Sequence, residues 1–149
     1  MTRFSRVLGI AAALLLVCAS AWAPARAADY ETQIDPAPFD ASSRADIIGS
    51  IGQVSATLTG NTLTVNGTFK DLTSPAIAAS VRMGLMKGVL GEAIGTLTAT
   101  RAPQGTVSGS VQLTSAQIEA LNREAIYIRI DSEKAPEGNL QGWLEAKRN

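Results

Sequence analysis

Tyr127 and Trp143 are the side chains in this sequence best suited to anchor a partner. Each lies in a short alternating run, and its parity sets it off the apolar face of that run. An exposed aromatic pair of this kind is typical of binding surfaces. The alternative for the pair is packing beneath the N-terminal segment. Arg129 and Asp131 share a strand face with Tyr127, and Arg82 shares one with Ser80 on an earlier run. The candidate binding residues are therefore Arg82, Tyr127, Arg129, Asp131 and Trp143.

The residues that would carry a reaction are scarce. No histidine occurs in the 149 residues. The commonest general base, the commonest zinc and copper ligand, and Ser-His or Cys-His dyads all go with it. Met83 and Met86 offer two thioethers, soft ligands suited to Cu(I), but two thioethers make an incomplete site and methionine is more often core filler. They are weak metal candidates. Asp131, Glu133 and Glu137 crowd one segment, yet the spacing is not that of an EF-hand and Lys134 intrudes. Serine and threonine are plentiful, but without histidine they need a lysine or an N-terminal amine, and no Ser-x-x-Lys follows residue 27. Gly84 to Gly91 holds three glycines without the Gly-Lys-Ser/Thr ending of a phosphate loop. It reads as a flexible connection, and its Leu85, Met86, Val89 and Leu90 as an end plug or a contact patch. No cofactor is implied, and the expectation is a protein that is not an enzyme.

The elements that must position these residues are mostly strands. Val54, Ala56 and Leu58 alternate with polar residues up to Gly60-Asn61, and Leu63, Val65, Gly67 and Phe69 continue the period, which is a hairpin signal. Further runs follow at Ile77–Met83, Ile94–Thr100 and Val107–Leu113. Thr114 and Gln117 form a capping box for a short helix over about 114–123, with Ile118 and Leu121 on one side. Ile126, Ile128 and Ile130 then share one face, and a last strand spans Leu140 to Glu145. Seven or so short strands with regular turns predict an all-β fold, an immunoglobulin-like antiparallel β-sandwich with one short helix.

The start of the chain is different. Arg3 and Arg6, the apolar stretch Val7 to Ala21, and Ala25-Arg26-Ala27 match a secretory signal at residues 1–27 cleaved after Ala27. The expected location is periplasmic or secreted. The only cysteine, Cys18, falls inside that segment, so no disulfide framework is expected. Residues 28–46, with Asp35-Pro36-Ala37-Pro38, read as a Pro-rich N-terminal arm, and residues 47–149 as the β domain. After residue 27 there are ten basic and thirteen acidic residues, a net charge of −3 without a basic tract. That argues against nucleic acid and anionic membrane surfaces as partners, and no membrane span follows the signal.

Leu63-Thr-Val-Asn-Gly-Thr-Phe-Lys-Asp-Leu72-Thr-Ser-Pro-Ala76 resembles the first half of the CHRD domain, the module named after chordin. Gly105 to Gly109, Leu113 to Leu121, Tyr127 to Ile130, and Gly138-Asn-Leu-Gln-Gly142-Trp-Leu144 resemble its second half. The resemblance runs from about Ile51 to Leu144. It implies an all-β, immunoglobulin-like or barrel-like domain, found in secreted or periplasmic bacterial proteins and, in animals, beside binding of secreted growth factors. The departures are consistent. The family's Ala-Ala-His-Ile-His-x-Gly is Ala78-Ala79-Ser80-Val81-Arg82-Met83-Gly84 here, its Tyr-Val-Asn-Ile-His-Thr is Tyr127 to Ser132 with Asp131 in place of histidine, and its Glu-Ile-Arg is Asn139-Leu140-Gln141. If the family's histidines converge as metal ligands, that site has lost its imidazoles in this chain. The same pattern implies neighbouring strands, on which Arg82 would pair with Asp131.

The function expected from these residues is a non-catalytic extracytoplasmic binding or interaction module, with an extracytoplasmic protein or a small ligand as partner. A periplasmic metal-binding or homeostasis protein is the alternative, and a hydrolase is disfavoured.

Overall fold

The computed structural model describes residues 27–148; the signal reading, apart from Ala27, lies outside the described residues. Nine strands follow one another as β1 (Ala27–Pro36), β2 (Ile51–Thr59), β3 (Thr62–Lys70), β4 (Ala76–Met83), β5 (Glu92–Ala99), β6 (Gly105–Gln112), β7 (Ile126–Ser132), β8 (Leu140–Trp143) and β9 (Glu145–Ala146). Two helices interrupt them, α1 (Arg44–Ile47) and α2 (Ser115–Asn122). The capping box of α2 forms as its sequence dictates: Thr114 Oγ1 accepts from the Gln117 N–H, and Gln117 Oε1 accepts from the Thr114 N–H.

The sheet runs β2-β3-β6-β5-β4-β7-β8-β1, with every pairing antiparallel, and β1 also pairs with β2. That last pairing closes it. The domain is an eight-stranded barrel, not the two-layered sandwich that alternation suggested. A sandwich and a barrel each bury one face of every strand, so the period-2 pattern is the same for both; they differ only in whether the edges meet.

Here the edges meet through β1. Ala27 to Ile34 pair along β2, while Tyr30 and Glu31 pair with β9, and Asp35 and Pro36 with β8. The stretch read as an arm is thus a stave of the barrel up to Pro36. Its alternation is real but sparse: Tyr30 and Ile34 are buried, and Asp29, Glu31, Gln33 and Asp35 are exposed. Pro36 ends the strand, where a missing N–H does no harm.

Side chains fill the interior, as expected at eight strands. Ile34, Val54, Leu63, Val65, Val81, Ile128 and Leu140 are fully buried, and Ala120 and Leu121 of α2 join the same cluster. At Gly52 the inward space is already taken by another side chain. A Cβ on Gly52 would lie 2.7 Å from Ile34 Cδ1. Ile77, assigned by alternation to the inner face, is partly exposed instead, because the β4–β7 register shifts between Ala76 and Ala78.

Candidate functional site

Strands β4, β7 and β8 carry the sequence candidates on their outer faces. The isoleucines of β7 point into the barrel, so the residues between them must point out. Register aligns Arg82, Tyr127 and Trp143 in one row across the three strands, and Ser80, Arg129 and Gln141 in the next. The parity inferred from sequence is right for the candidates, and all five have a partner among themselves: Arg82, Tyr127 and Trp143 form one group, and Arg129 and Asp131 a pair beside it. Tyr127 and Trp143 stack with ring centroids 5.0 Å apart at 32°.

Arg82 does not reach Asp131. The register sets Asp131 opposite Ala78, four residues from Arg82 along β4, or about 13 Å. Asp131 instead holds Arg129 on its own strand, Nε to Oδ1 2.6 Å, with both side chains mostly buried. Arg129 also donates to the Pro136 carbonyl. A guanidinium therefore stands among the positions that the resemblance associates with histidine, and it would repel a metal cation there.

Tyr127 is fully buried although it lies outside the barrel. The segment between β4 and β5, residues 84–91, folds back as a strap across it. The Tyr127 hydroxyl donates to the Gly91 carbonyl (3.2 Å) and accepts from the Gly91 N–H (3.0 Å) and from Arg82 Nε (3.2 Å). Arg82 Nε also donates to the Gly91 carbonyl at 3.0 Å. At the other end the Gly84 N–H donates to the Ala125 carbonyl at 2.9 Å. Glycine is needed at both ends: a Cβ on Gly84 would collide with the Val89 carbonyl, and one on Gly91 with the Met83 carbonyl. Met86 to Val89 make a turn closed by Val89 N–H to Met86 O, with Gly88 at φ 86° in its third position as a type II turn requires.

The apex of the strap is tied down by charge. Lys87 Nζ donates to Glu124 Oε2 at 2.9 Å and to Glu145 Oε1. The hydrogen bond from Lys87 holds the Glu145 carboxyl below its usual range, and the bonds to Glu145 and Glu124 hold the Lys87 ammonium above its own. Thus pinned, the segment read as a flexible connection presents Leu85 (83% exposed), Met86 (62%) and Leu90 (54%) to solvent. Beside it lies a groove of about 300 Å³ lined by Trp143, Gln141, Lys87, Glu145, Gln33 and Asp35, among others. Trp143 Nε1 and, on β4, Ser80 Oγ are shut from solvent with no hydrogen-bond partner among the described residues.

The weak metal candidates do not converge. Met83 packs against the core and Met86 projects from the strap. Among the described residues no three or more acidic or cysteine side chains cluster as metal ligands.

Sequence reasoning missed Asn139. It is fully buried, accepts from Ser50 Oγ (2.8 Å), and donates to Ser132 Oγ (2.8 Å) and to the Asp46 carbonyl (3.3 Å). It ties α1 to the end of β7. Its place after Gly138, at the departure from the family's Glu-Ile-Arg, was the signal available in the sequence; Gly138 turns the chain there at φ 127°.

A closed antiparallel barrel with a strapped, aromatic outer face defines the class of protein. The chain belongs to the CHRD domain family, whose model matches residues 36–144, well over half of its length. No curated protein matches it, and no solved structure does. No helix among the described residues is long and apolar enough to cross a membrane.

Proposed function

We propose that this protein is a non-catalytic binding module that works outside the cytoplasm, and that its contact surface is the 84–91 strap with the groove beside it. The observation that carries this is the buried latch. A polar network around Tyr127 holds Leu85, Met86 and Leu90 out in water, where apolar side chains have no reason to be kept in one arrangement unless a partner covers them. Arg82, Tyr127 and Arg129 then act by positioning, and Trp143 and the strap by contact. Membership of the CHRD family supports an interaction role.

Export is part of the proposal. The charged, apolar and Ala-x-Ala regions of residues 1–27 support cleavage after Ala27, which would leave Ala28 at the head of β1. Mass spectrometry of the protein from periplasm and culture medium tests it; a chain still beginning at Met1 would refute export by cleavage.

The contact surface is tested by placing a photo-reactive amino acid at Leu85, at Leu90, or at Thr64 on the opposite wall, and irradiating cells. Adducts of one defined mass from the two strap positions, lost in a Leu85→Ser/Leu90→Ser background of unchanged melting temperature, are the expected result. Adducts from Thr64 alone, or none from the strap, would overturn the assignment.

A further inference from the structure

Gln141 lines the groove beside the strap and is only 9% exposed, yet its side-chain amide makes no hydrogen bond to protein among the described residues. The other buried polar side chains, Ser50, Ser74, Ser132 and Asn139, are all bonded. Unlike Ser80 Oγ and Trp143 Nε1, the polar atoms of Gln141 are not shut from solvent. A buried amide without partners costs stability, so the partners of this one must come from the groove.

Register fixes what stands next to it. Gln141 lies opposite Asp35 of β1 on one side and opposite Arg129 of β7 on the other. Arg129 does not line the groove, and Asp131 matches its charge. Asp35 does line it. Its Oδ1 accepts from Gln33 Nε2 at 2.7 Å, and it forms no ion pair among the described residues. The other charged residues of the lining, Lys87 and Glu145, pair with each other, and Lys87 pairs with Glu124 as well. The uncompensated charge of the groove is therefore the Asp35 carboxylate. It stands beside an unpartnered amide, against a wall formed by Trp143, whose ring Tyr127 holds at 5.0 Å.

We infer that the groove receives a basic side chain, an arginine, from the polypeptide that covers the strap. A guanidinium has donors enough for the Asp35 carboxylate and the Gln141 amide oxygen together. Its flat, charged face also suits the Trp143 ring. The other ligand classes fail on physical grounds. An anion would meet Asp35 and Glu145. An apolar group would cover the Gln141 amide with nothing returned. A metal ion would find one free carboxylate and one amide, too few ligands for a hard cation. A neutral polar group would serve Gln141 and leave Asp35 unmatched. That the guanidinium belongs to a polypeptide rests on the strap reading. Leu85, Met86 and Leu90 stand exposed about Lys87, which reaches the groove. Apolar residues flanking the arginine in its own chain would cover them, and a free polyamine has none.

Nuclear magnetic resonance of the exported protein tests this, read at the Gln141 side-chain amide and the Trp143 indole N–H. The probes are N-acetylarginine amide, the end-blocked tripeptides Leu-Arg-Leu and Leu-Gln-Leu, and spermidine. Both arginine probes should shift the two signals, and Leu-Arg-Leu should bind about tenfold more tightly than Leu-Gln-Leu. Asp35→Asn should weaken Leu-Arg-Leu about tenfold, the equivalent of one charge-assisted hydrogen bond. Gln141→Leu should weaken it as well, at a melting temperature unchanged or raised, because the amide bonds nothing within the fold. Equal binding of Leu-Gln-Leu, indifference to Asp35→Asn, a lowered melting temperature in Gln141→Leu, tighter binding of spermidine, or no shift at all would each overturn the inference. The strap is read separately, from the gain of Leu-Arg-Leu over N-acetylarginine amide. No gain would sink the strap reading and the polypeptide source with it, and would leave the preference of the groove for a guanidinium standing.

Discussion

At the scale of the residue, one hydroxyl group decides what the outer face does. Tyr127→Phe keeps the ring against Trp143 and removes only the oxygen that bonds both backbone groups of Gly91 and Arg82 Nε. The expected cost is about 1–3 kcal/mol, toward the lower end because a loosened strap lets water reach the freed groups. Urea unfolding would give that figure, and faster amide exchange at Gly91 would separate a released strap from general destabilisation. Asn139 gives the complementary case, since it is fully buried and so are Ser50 and Ser132, two of its three partners. Asn139→Ala removes three hydrogen bonds and leaves a small cavity, while Ser50 Oγ keeps the Ile47 carbonyl and Ser132 Oγ keeps the Ala135 N–H, for a loss of about 1–3 kcal/mol. Asn139→Asp has a distinct signature. Its carboxylate would face the Asp46 carbonyl and could not donate, so the folded state raises its pKa. A group raised in this way stabilises below its unfolded pKa and loses that contribution as pH rises. The variant should therefore gain stability between pH 7 and pH 4 relative to the parent; a flat difference would show that the site admits water.

At the scale of the element, much of the chain was legible and the strap was not. The β2–β3 hairpin followed from Gly60-Asn61 between alternating runs, α2 from its capping box, and the direction of Tyr127 from the three isoleucines around it. Parity fixes direction, however, and not exposure. Tyr127 points away from the core and is buried all the same, because residues forty positions earlier cross over it, and no local pattern encodes that crossing. The partner of Arg82 was missed for a related reason: the face of each strand was known, but the register between them was not. The strap also has a pH window. Glu145 has a lowered pKa, so its share of the clamp is complete above the ordinary carboxylate range near about pH 4.3 and is lost as pH falls through the lowered value. Lys87 has a raised pKa, so its share is complete below the ordinary lysine range near about pH 10.4 and is lost as pH rises through the raised one. Methyl relaxation of Met86 should report an ordered strap between these limits and a mobile one in acid. Lys87→Met should be mobile throughout, and an Met86 signal indifferent to both pH and Lys87→Met would show that the Tyr127 latch suffices alone.

At the scale of the whole molecule, the barrel makes a claim that the sandwich did not. A sandwich with a Pro-rich arm would lose little if residues 28–36 were removed, because its two sheets would face each other as before. The barrel has no such reserve. Among the described residues strand β1 is the only element that joins β2 to β8, and it brings Tyr30 and Ile34 into the core. Without it two edges stand open, and Gly52 loses Ile34, the side chain that occupies its space. Fully burying one large apolar side chain is worth about 1.5–3 kcal/mol. Two such residues and a ladder of strand hydrogen bonds together approach the whole stability of a domain, about 5–15 kcal/mol. Deletion of residues 28–36 should therefore abolish cooperative thermal unfolding and leave a product that associates through its open edges. The same nine residues supplied as a separate peptide should restore the β-sheet circular dichroism spectrum, because the slot between β2 and β8 has a defined register to receive them. A truncated protein that still unfolds cooperatively as a monomer near the parent's melting temperature would show that the sheet holds together without its closing strand, and the arm reading would then be the better description of residues 28–36.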